Sequence, residues 1–245
     1  MNTIKKIKYL LHKIKSDLES LNTYPGIDLS SGFKIDYDKY WKKRRGEDYK
    51  SSLSGWQKER ADYALKFLKD GDIVVDIGGG DGEVLKYIKS KVSIKGICAD
   101  FDELVLAEAK KNGLETINID LSDLNNAVKI PDCDYILGFE ILEHMPNPEE
   151  FIMAVKSRVR ISMIFSFPNT GYYTHRLRLF FGKFPLQWVS HPGEHLRFWA
   201  VSDVQWWIKN MGLHLDEIRL YQGMPFLNKI LPKLFGQGII VKIKK

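Results

Sequence analysis

The chain carries little with which to cross-link or anchor itself. Its 245 residues include two cysteines, Cys98 and Cys133. Both sit in or beside apolar runs and share no ligand spacing, which excludes a disulfide framework and a cysteine-based metal ribbon and suits a reducing compartment. No run approaches the roughly 18 to 20 uninterrupted apolar residues of a spanning helix, and the first residues lack the apolar stretch of a signal peptide, so a cytoplasmic location is expected. Charge of one sign is scarce too: 37 Lys and Arg against 31 Asp and Glu leave +6, too mild to establish a nucleic-acid partner. Repeats and low-complexity tracts are lacking. What is present, 44% hydrophobic and 12% aromatic residues, excludes a disordered chain, and the length fits one elaborated domain or a domain with a short appendage.

Ile4, Ile7, Leu11, Ile14, Leu18 and Leu21 recur at steps of three and four, with lysines on most of the other face. This predicts an amphipathic helix. Docking on the domain, a short coiled-coil seam and a membrane-surface position all stay open for it, and Tyr24-Pro25-Gly26 ends it. Residues 1–35 then form a helix and linker, and 36–245 the main domain. YDKYWKKRRGEDYK, at 37–50, mixes aromatics with cations, and a helix over 56–68 stops before Gly71. Strand and helix alternate from there, the pattern of a parallel sheet wrapped on both faces. The apolar runs predict strands at 73–77, 94–99, 116–119, 134–139 and 161–166, with helices at 82–90, 102–112, 122–128 and 148–157. An aromatic and basic insertion over 168–200 breaks the rhythm. A helix over 202–211 resumes it, with Ser202 as N-cap and Gly212 as stop, and apolar runs at 213–221 and 238–243 close the chain. Trp199, Trp206 and Trp207 read as core.

VVDIGGGDG, at 74–82, is the most informative stretch. The dinucleotide fingerprint G-x-G-x-x-G fails, because counting from Gly78 its third glycine falls on Glu83. No Gly-Lys-Ser/Thr follows, which excludes a P-loop. What remains is a glycine turn flanked by Asp76 and Asp81. Two unit charges about 4 Å apart interact by about 4 kcal/mol at an effective dielectric near 20, so these acids repel a diphosphate and favour a cation. S-adenosylmethionine meets that requirement, with an ammonium and a sulfonium at one end and an adenosine at the other. Asp100 ends the second strand in GICADFD, where a carboxylate can accept from both ribose hydroxyls. Asp120 in INIDL ends the next, in reach of an adenine amino group. One such Asp is as readily a helix N-cap. Three across successive strands point to one crevice.

These landmarks, with YILGFEILEHMPNPEEF, resemble those of the class I S-adenosylmethionine-dependent methyltransferases over roughly 36–221. FSFPNTGYYTHRLRLFFGKFP followed by HPGEHLRFW is similar to the MetW-like and ubiquinone-type branch. The resemblance implies a Rossmann-like, seven-stranded, mostly parallel α/β sheet sandwiched by helices. It also implies a cofactor set of Asp76, Gly78, Gly80, Asp100, Phe101, Asp120, Leu121, Glu140, Trp41 and Arg45. Within it Asp76, Gly78 and Gly80 hold the methionyl end, Asp100 the ribose and Asp120 the adenine, while Arg44 or Arg45 takes the cofactor's carboxylate. The expected activity is methyl transfer to an oxygen or nitrogen of a small molecule. A cofactor-binding partner or regulator of a biosynthetic enzyme is the alternative.

The insertion 168–200 supplies candidate acceptor chemistry. Tyr172, Tyr173, Arg176, His191 and Arg197 form the expected substrate set, because guanidinium forks suit carboxylates and phosphates. This favours an anionic small-molecule acceptor: a phosphorylated metabolite, a nucleotide-linked intermediate of surface polysaccharide assembly, or a lipid or quinone precursor. Arg176 and Arg178 can equally be solvated residues on a short helix whose Leu177, Leu179 and Phe180 face inward. His195 and His144 are the candidate bases. No metal is expected, since Pro192-Gly193 denies His191 and His195 a shared helical face and no third ligand is evident. A nucleic-acid methyltransferase would need a basic groove and an N/D-P-P-Y/F motif that GFEILEH does not offer. A homodimer through the N-terminal helix is a further expectation.

Overall fold

The computed structural model describes residues 3–24, 52–121, 123–187 and 193–245. Seven strands form a single sheet: β1 (Ile73–Ile77), β2 (Lys95–Asp100), β3 (Glu115–Asn118), β4 (Cys133–Phe139), β5 (Val159–Pro168), β6 (His214–Tyr221) and β7 (Gly238–Lys244). Their order is β3-β2-β1-β4-β5-β7-β6. The pairs from β3 through β5 are parallel, and β7 runs antiparallel to both β5 and β6. The chain steps outward from β1 to β3, then returns to place β4 on the other side of β1. That reversal opens a crevice at the carboxyl ends of β1 and β4, where ligands of open parallel sheets bind.

Alternation along the strands builds the two layers. In β1, Val75 and Ile77 join the apolar cluster on one face, and Val74 joins the cluster on the other. One layer contains α5 (Pro148–Lys156) and α7 (Val201–Asn210); the opposite layer contains α2 (Gly55–Ala64), α3 (Glu83–Lys89) and α4 (Glu103–Lys111). Each fully buried Val, Leu, Ile or Phe contributes about 1.5–3 kcal/mol relative to exposure, so a sheet covered on both sides dominates the stability.

The expected helices form with three local corrections. The helix expected to run to residue 68 ends at Ala64, and the segment expected as a helix over 122–128 is a 3₁₀ turn, Leu124–Lys129, capped by Asp123. The cap of α7 is not Ser202: Asp203 accepts from the Ala200 N–H at 2.8 Å. Trp199 and Trp207 are buried as expected, whereas Trp206 is 66% exposed.

The insertion holds α6 (Tyr173–Phe180), and against it lies α1 (Thr3–Asn22). The seam is polar. Asp17, buried on α1, accepts from the hydroxyls of Tyr172 at 2.8 Å and Tyr173 at 2.9 Å and pairs with Lys13 at 2.8 Å. Arg178, 1% exposed, donates to the carbonyls of Ser20, Leu21 and Thr23, which the end of α1 leaves without helical partners. This inverts the expected orientation of α6. Arg178 faces inward, while Leu177, Leu179 and Phe180 are exposed, because the partner helix offers carbonyls rather than apolar side chains. Ile7, Leu11, Ile14 and Leu18 on α1 stay exposed as well.

Candidate active site

A cavity of about 920 Å³ opens at the switch point, at the upper end of the range for small-molecule sites and roomy enough for more than one small ligand. Its floor is the glycine turn after β1. Gly78 has φ 65°, and a Cβ there would stand 2.7 Å from the Ile141 side chain, so only glycine fits between β1 and the loop after β4. Gly80, at φ 55°, turns its N–H to the Asp100 carboxylate at 3.0 Å. Asp100 also accepts from the Asp102 N–H at 3.1 Å, so the acid at the end of β2 braces the turn as well as lining the cavity. Burial nevertheless raises its pKa, against the lowering effect of these backbone donors.

Asp76 stands at the centre with 2% exposure. Burial pushes its carboxyl up to about 7; Arg60 pulls it down and Asp100 pushes it further up. Asp81 lines the same cavity, and so do Phe101, Asp120, Leu121 and Glu140, which with Asp76, Gly78, Gly80 and Asp100 brings eight of the expected cofactor residues to one place. Trp41, Arg44 and Arg45 lie outside the described residues.

A cavity-lining side chain that the sequence did not mark is Arg60, on α2. It is buried, lines the cavity, meets Glu140 at 3.2 Å and donates to the Tyr221 hydroxyl at 3.4 Å. Its Nε has no hydrogen-bond partner among the described residues. Glu140 in turn accepts from Ser166 at 2.7 Å and Tyr221 at 3.1 Å, and its backbone sits at φ 56°, an unusual conformation for a side-chain-bearing residue. The signal for Arg60 was faint: one arginine in a helix whose buried face also carries Ala61 and Ala64.

Glu143 and His144 of the short 3₁₀ turn Leu142–His144 also line the cavity, together with His195. The N–H groups of Leu196 and Arg197 donate to the Glu143 carbonyl at 2.7 and 3.2 Å, and the His144 Nδ1 meets the Glu194 carbonyl at 2.5 Å. This stitching sets the His144 and His195 rings edge to face, 4.7 Å apart. Burial, reinforced by His144, lowers the His195 pKa to about 4, leaving a neutral but weakly basic imidazole near pH 7. Glu143 is wholly buried, and neither carboxylate oxygen has a hydrogen-bond partner among the described residues. Burial, with Glu140 beside it, raises its pKa well above the usual carboxylate range. His175 of α6 also lines the cavity, and burial lowers its pKa to about 4.

The expected substrate set is not assembled here. Tyr172 and Tyr173 are held by Asp17 at the α1 seam, and the Arg176 Nε donates to the Gly171 carbonyl at 2.6 Å. Arg197 donates to the Pro146 carbonyl and stands 4.0 Å from Glu149. None of these four lines the cavity; each guanidinium spends one donor on a backbone carbonyl and is otherwise at least partly exposed. His191 lies outside the described residues.

Seven strands in this order, with the last strand of the chain reversed between its neighbours and a glycine turn after β1, constitute the class I S-adenosylmethionine-dependent methyltransferase fold. A SAM dependent methyltransferase from Archaeoglobus fulgidus is similar over 86% of this chain and 100% of its own, at 18% identity and a TM-score of 0.61. Magnesium protoporphyrin IX methyltransferase from Synechocystis PCC 6803, solved with bound SAH, is similar over 100% of both chains, at 13% identity and a TM-score of 0.57. Residues 58–238 match the family model described as Methionine biosynthesis protein MetW, and the chain belongs to that family. A stretch of 95 residues, 36% of this chain, is 32% identical to (S)-coclaurine N-methyltransferase of Thalictrum flavum subsp. glaucum. The matched stretch spans about a quarter of the length of such curated relatives.

Proposed function

We propose that the chain is an S-adenosylmethionine-dependent methyltransferase acting on an oxygen or nitrogen of a small acceptor. The observation that carries this reading is the convergence of Asp76, Asp100 and Asp120 on a glycine turn that leaves no room for a side chain at Gly78. That donor set fits the cofactor: carboxylates for an ammonium and for ribose hydroxyls, and a cradle that lets the ligand approach backbone. Asp76 binds the ammonium, and Arg60, which lines the same cavity, binds the carboxylate of the same amino-acid end. Asp100 takes the ribose, with Phe101, Asp120 and Leu121 around the adenine. The curated N-methyltransferase match and the fold support this assignment.

When bound, S-adenosylmethionine supplies an electrophilic methyl whose C–S bond breaks as the bond to the acceptor forms, leaving S-adenosylhomocysteine. The chain's own contribution is position. Holding two reactants in line inside a water-poor cavity supplies roughly 7–11 kcal/mol of the barrier reduction. His195, neutral near pH 7, takes the proton of a hydroxyl acceptor, with His144 packed against it. Glu140 fixes Arg60 and Tyr221 at the junction of the two halves.

The MetW family match favours one further reading, a cofactor-binding partner of a biosynthetic enzyme. Calorimetry with S-adenosylhomocysteine, followed by a mass-spectrometric search for methylated products in extracts given labelled S-adenosylmethionine, separates the two. Binding with product supports the enzyme, binding without product supports the partner, and no binding below millimolar concentration refutes both.

A further inference from the structure

The cavity carries a cluster that lies outside the expected cofactor set. Glu143, His144 and His195 each place one ligand atom within 4.8 Å of the others. From these groups we infer that the cavity holds a divalent transition-metal ion, bound by the Glu143 carboxylate and the two imidazoles, with coordination positions left open toward the acceptor.

Three observations converge on this site. Glu143 is fully buried, and both its oxygens lack hydrogen-bond partners among the described residues. A buried carboxylate costs several kcal/mol unless a positive charge compensates it, and Arg60 acts on Glu143 only at a distance, since its close ion pair is with Glu140. Second, His144 is pre-oriented. A carbonyl cannot donate, so the short contact to the Glu194 oxygen puts the ring proton on Nδ1 and leaves the lone pair on Nε2. An imidazole held by a carbonyl on its other nitrogen is the usual outer-shell arrangement of a metal ligand. Third, the loop of His195 is stapled to the turn of Glu143 by two backbone hydrogen bonds, so the three donors belong to one rigid unit rather than to a chance surface cluster.

Donors bound about 2.1 Å from an ion stand roughly 3 to 4.2 Å apart, so closure on the metal requires a side-chain shift of about an ångström at most. Two nitrogens and one carboxylate suit Mn²⁺, Co²⁺ or Zn²⁺ better than Ca²⁺ or Mg²⁺, which prefer oxygen cages. Three protein ligands leave the remaining positions for water or for acceptor oxygens. With the ion in place the His195 lone pair lies on the metal, so the ion replaces the histidine base: an acceptor hydroxyl bound there is acidified, gives its proton to water and is fixed beside the transfer position. This role rests on the methyltransferase reading; the ion site itself does not.

The test uses the full chain stripped with a chelator and titrated calorimetrically with Mn²⁺, Co²⁺ and Zn²⁺ in turn, alongside a separate titration with S-adenosylhomocysteine. A single tight ion per chain is expected, weakened at least about tenfold to a hundredfold in Glu143→Gln and in His195→Ala, while both variants retain S-adenosylhomocysteine binding. Should a variant misfold, the wild-type chain still answers: Mn²⁺ should broaden the ring-proton resonances of His144 and His195 before those of other residues. Failure of all three ions to bind below millimolar concentration, unchanged affinity in both folded variants, or broadening confined to surface acids overturns the site. Ion binding without S-adenosylhomocysteine binding sinks the methyltransferase reading instead and leaves the site standing.

Discussion

Lowering the pH removes the negative charge that Asp76 offers to a ligand's ammonium. Its carboxyl, pushed up to about 7 by burial, is ionised in most chains at about pH 7.5 and in roughly one in a hundred at about pH 5, since each unit below the pKa removes a factor of about ten. A bound amino-acid end holds Asp76 ionised throughout, so the apparent affinity for S-adenosylhomocysteine should fall by roughly a hundredfold over that range, or about 3 kcal/mol. Binding at about pH 5.5 should release a proton, visible as a calorimetric enthalpy that changes with the ionisation enthalpy of the buffer. The cofactor-free fold follows the opposite linkage. A folded carboxyl lying above its ordinary 3.8 holds its proton more tightly than the unfolded chain does. Its contribution to stability is therefore complete below that value and is lost as pH rises through about 7, by up to about 4 kcal/mol. Asp76→Asn should flatten both profiles, leaving weak affinity that barely varies with pH and a higher melting temperature near neutrality. An affinity that stays level from about pH 5 to 7.5 in the wild type, or a slope that survives in Asp76→Asn, refutes the assignment of the ammonium to Asp76.

Other consequences follow from the same contacts. Arg60→Gln strips Glu140 of its ion partner and should lower stability by about 3 kcal/mol in thermal unfolding, with S-adenosylhomocysteine binding weakened beyond what the melting shift accounts for. Arg178→Gln leaves the carbonyls closing α1 without their buried donor; limited proteolysis should then release the first 24 residues while S-adenosylhomocysteine affinity holds. If the exposed Leu11 and Leu18 pair two chains, light scattering should report a dimer for the wild type and a monomer for Leu11→Glu/Leu18→Glu, with the melting temperature of each folded chain nearly unchanged; a wild-type monomer at high concentration removes the dimer.

The sheet was legible because its physics is local. Runs such as IVVDI and YILGF need burial on both faces, and their ends coincide within a residue or two with the strands that form. The acids at the strand ends were legible for a related reason: topology brings the carboxyl ends of β1, β2 and β3 together whatever the loops do. The acceptor side was not. Nothing in LEHMP signals that its glutamate is sealed in, because that follows from a loop some 50 residues later folding back on the Glu143 carbonyl. Tyr172 and Tyr173 looked like ligand chemistry and Arg178 could be read as a solvated residue, yet the seam with α1 consumes all three, because a polar group's role depends on which buried partner reaches it first. Arg60 escaped notice for the converse reason: its partners Glu140 and Tyr221 come from the ends of β4 and β6, remote in sequence.

The charge balance of the cavity bears on the acceptor. Seven acidic residues line it, against one arginine and no lysine among the described residues. Arg60, that arginine, is already matched to Glu140. A cationic cofactor suits such a wall, and the anionic acceptor expected from the insertion does not, since Arg176 and Arg197 donate to backbone carbonyls outside it. An ion on Glu143, His144 and His195 changes the sign locally: two positive charges set against one buried carboxylate create an anchor for oxygen donors where the wall otherwise repels them. Phosphates, vicinal diols and phenolic oxygens then all become admissible, and the preference among them becomes metal-dependent. With a labelled cofactor and a panel of such compounds, oxygen acceptors that chelate should lose turnover in chelator and regain it with Mn²⁺ or Zn²⁺, whereas simple amines should be indifferent to both. Turnover of chelating acceptors that persists undiminished in chelator would mean that the acidic wall recognises its substrate by some other positive charge.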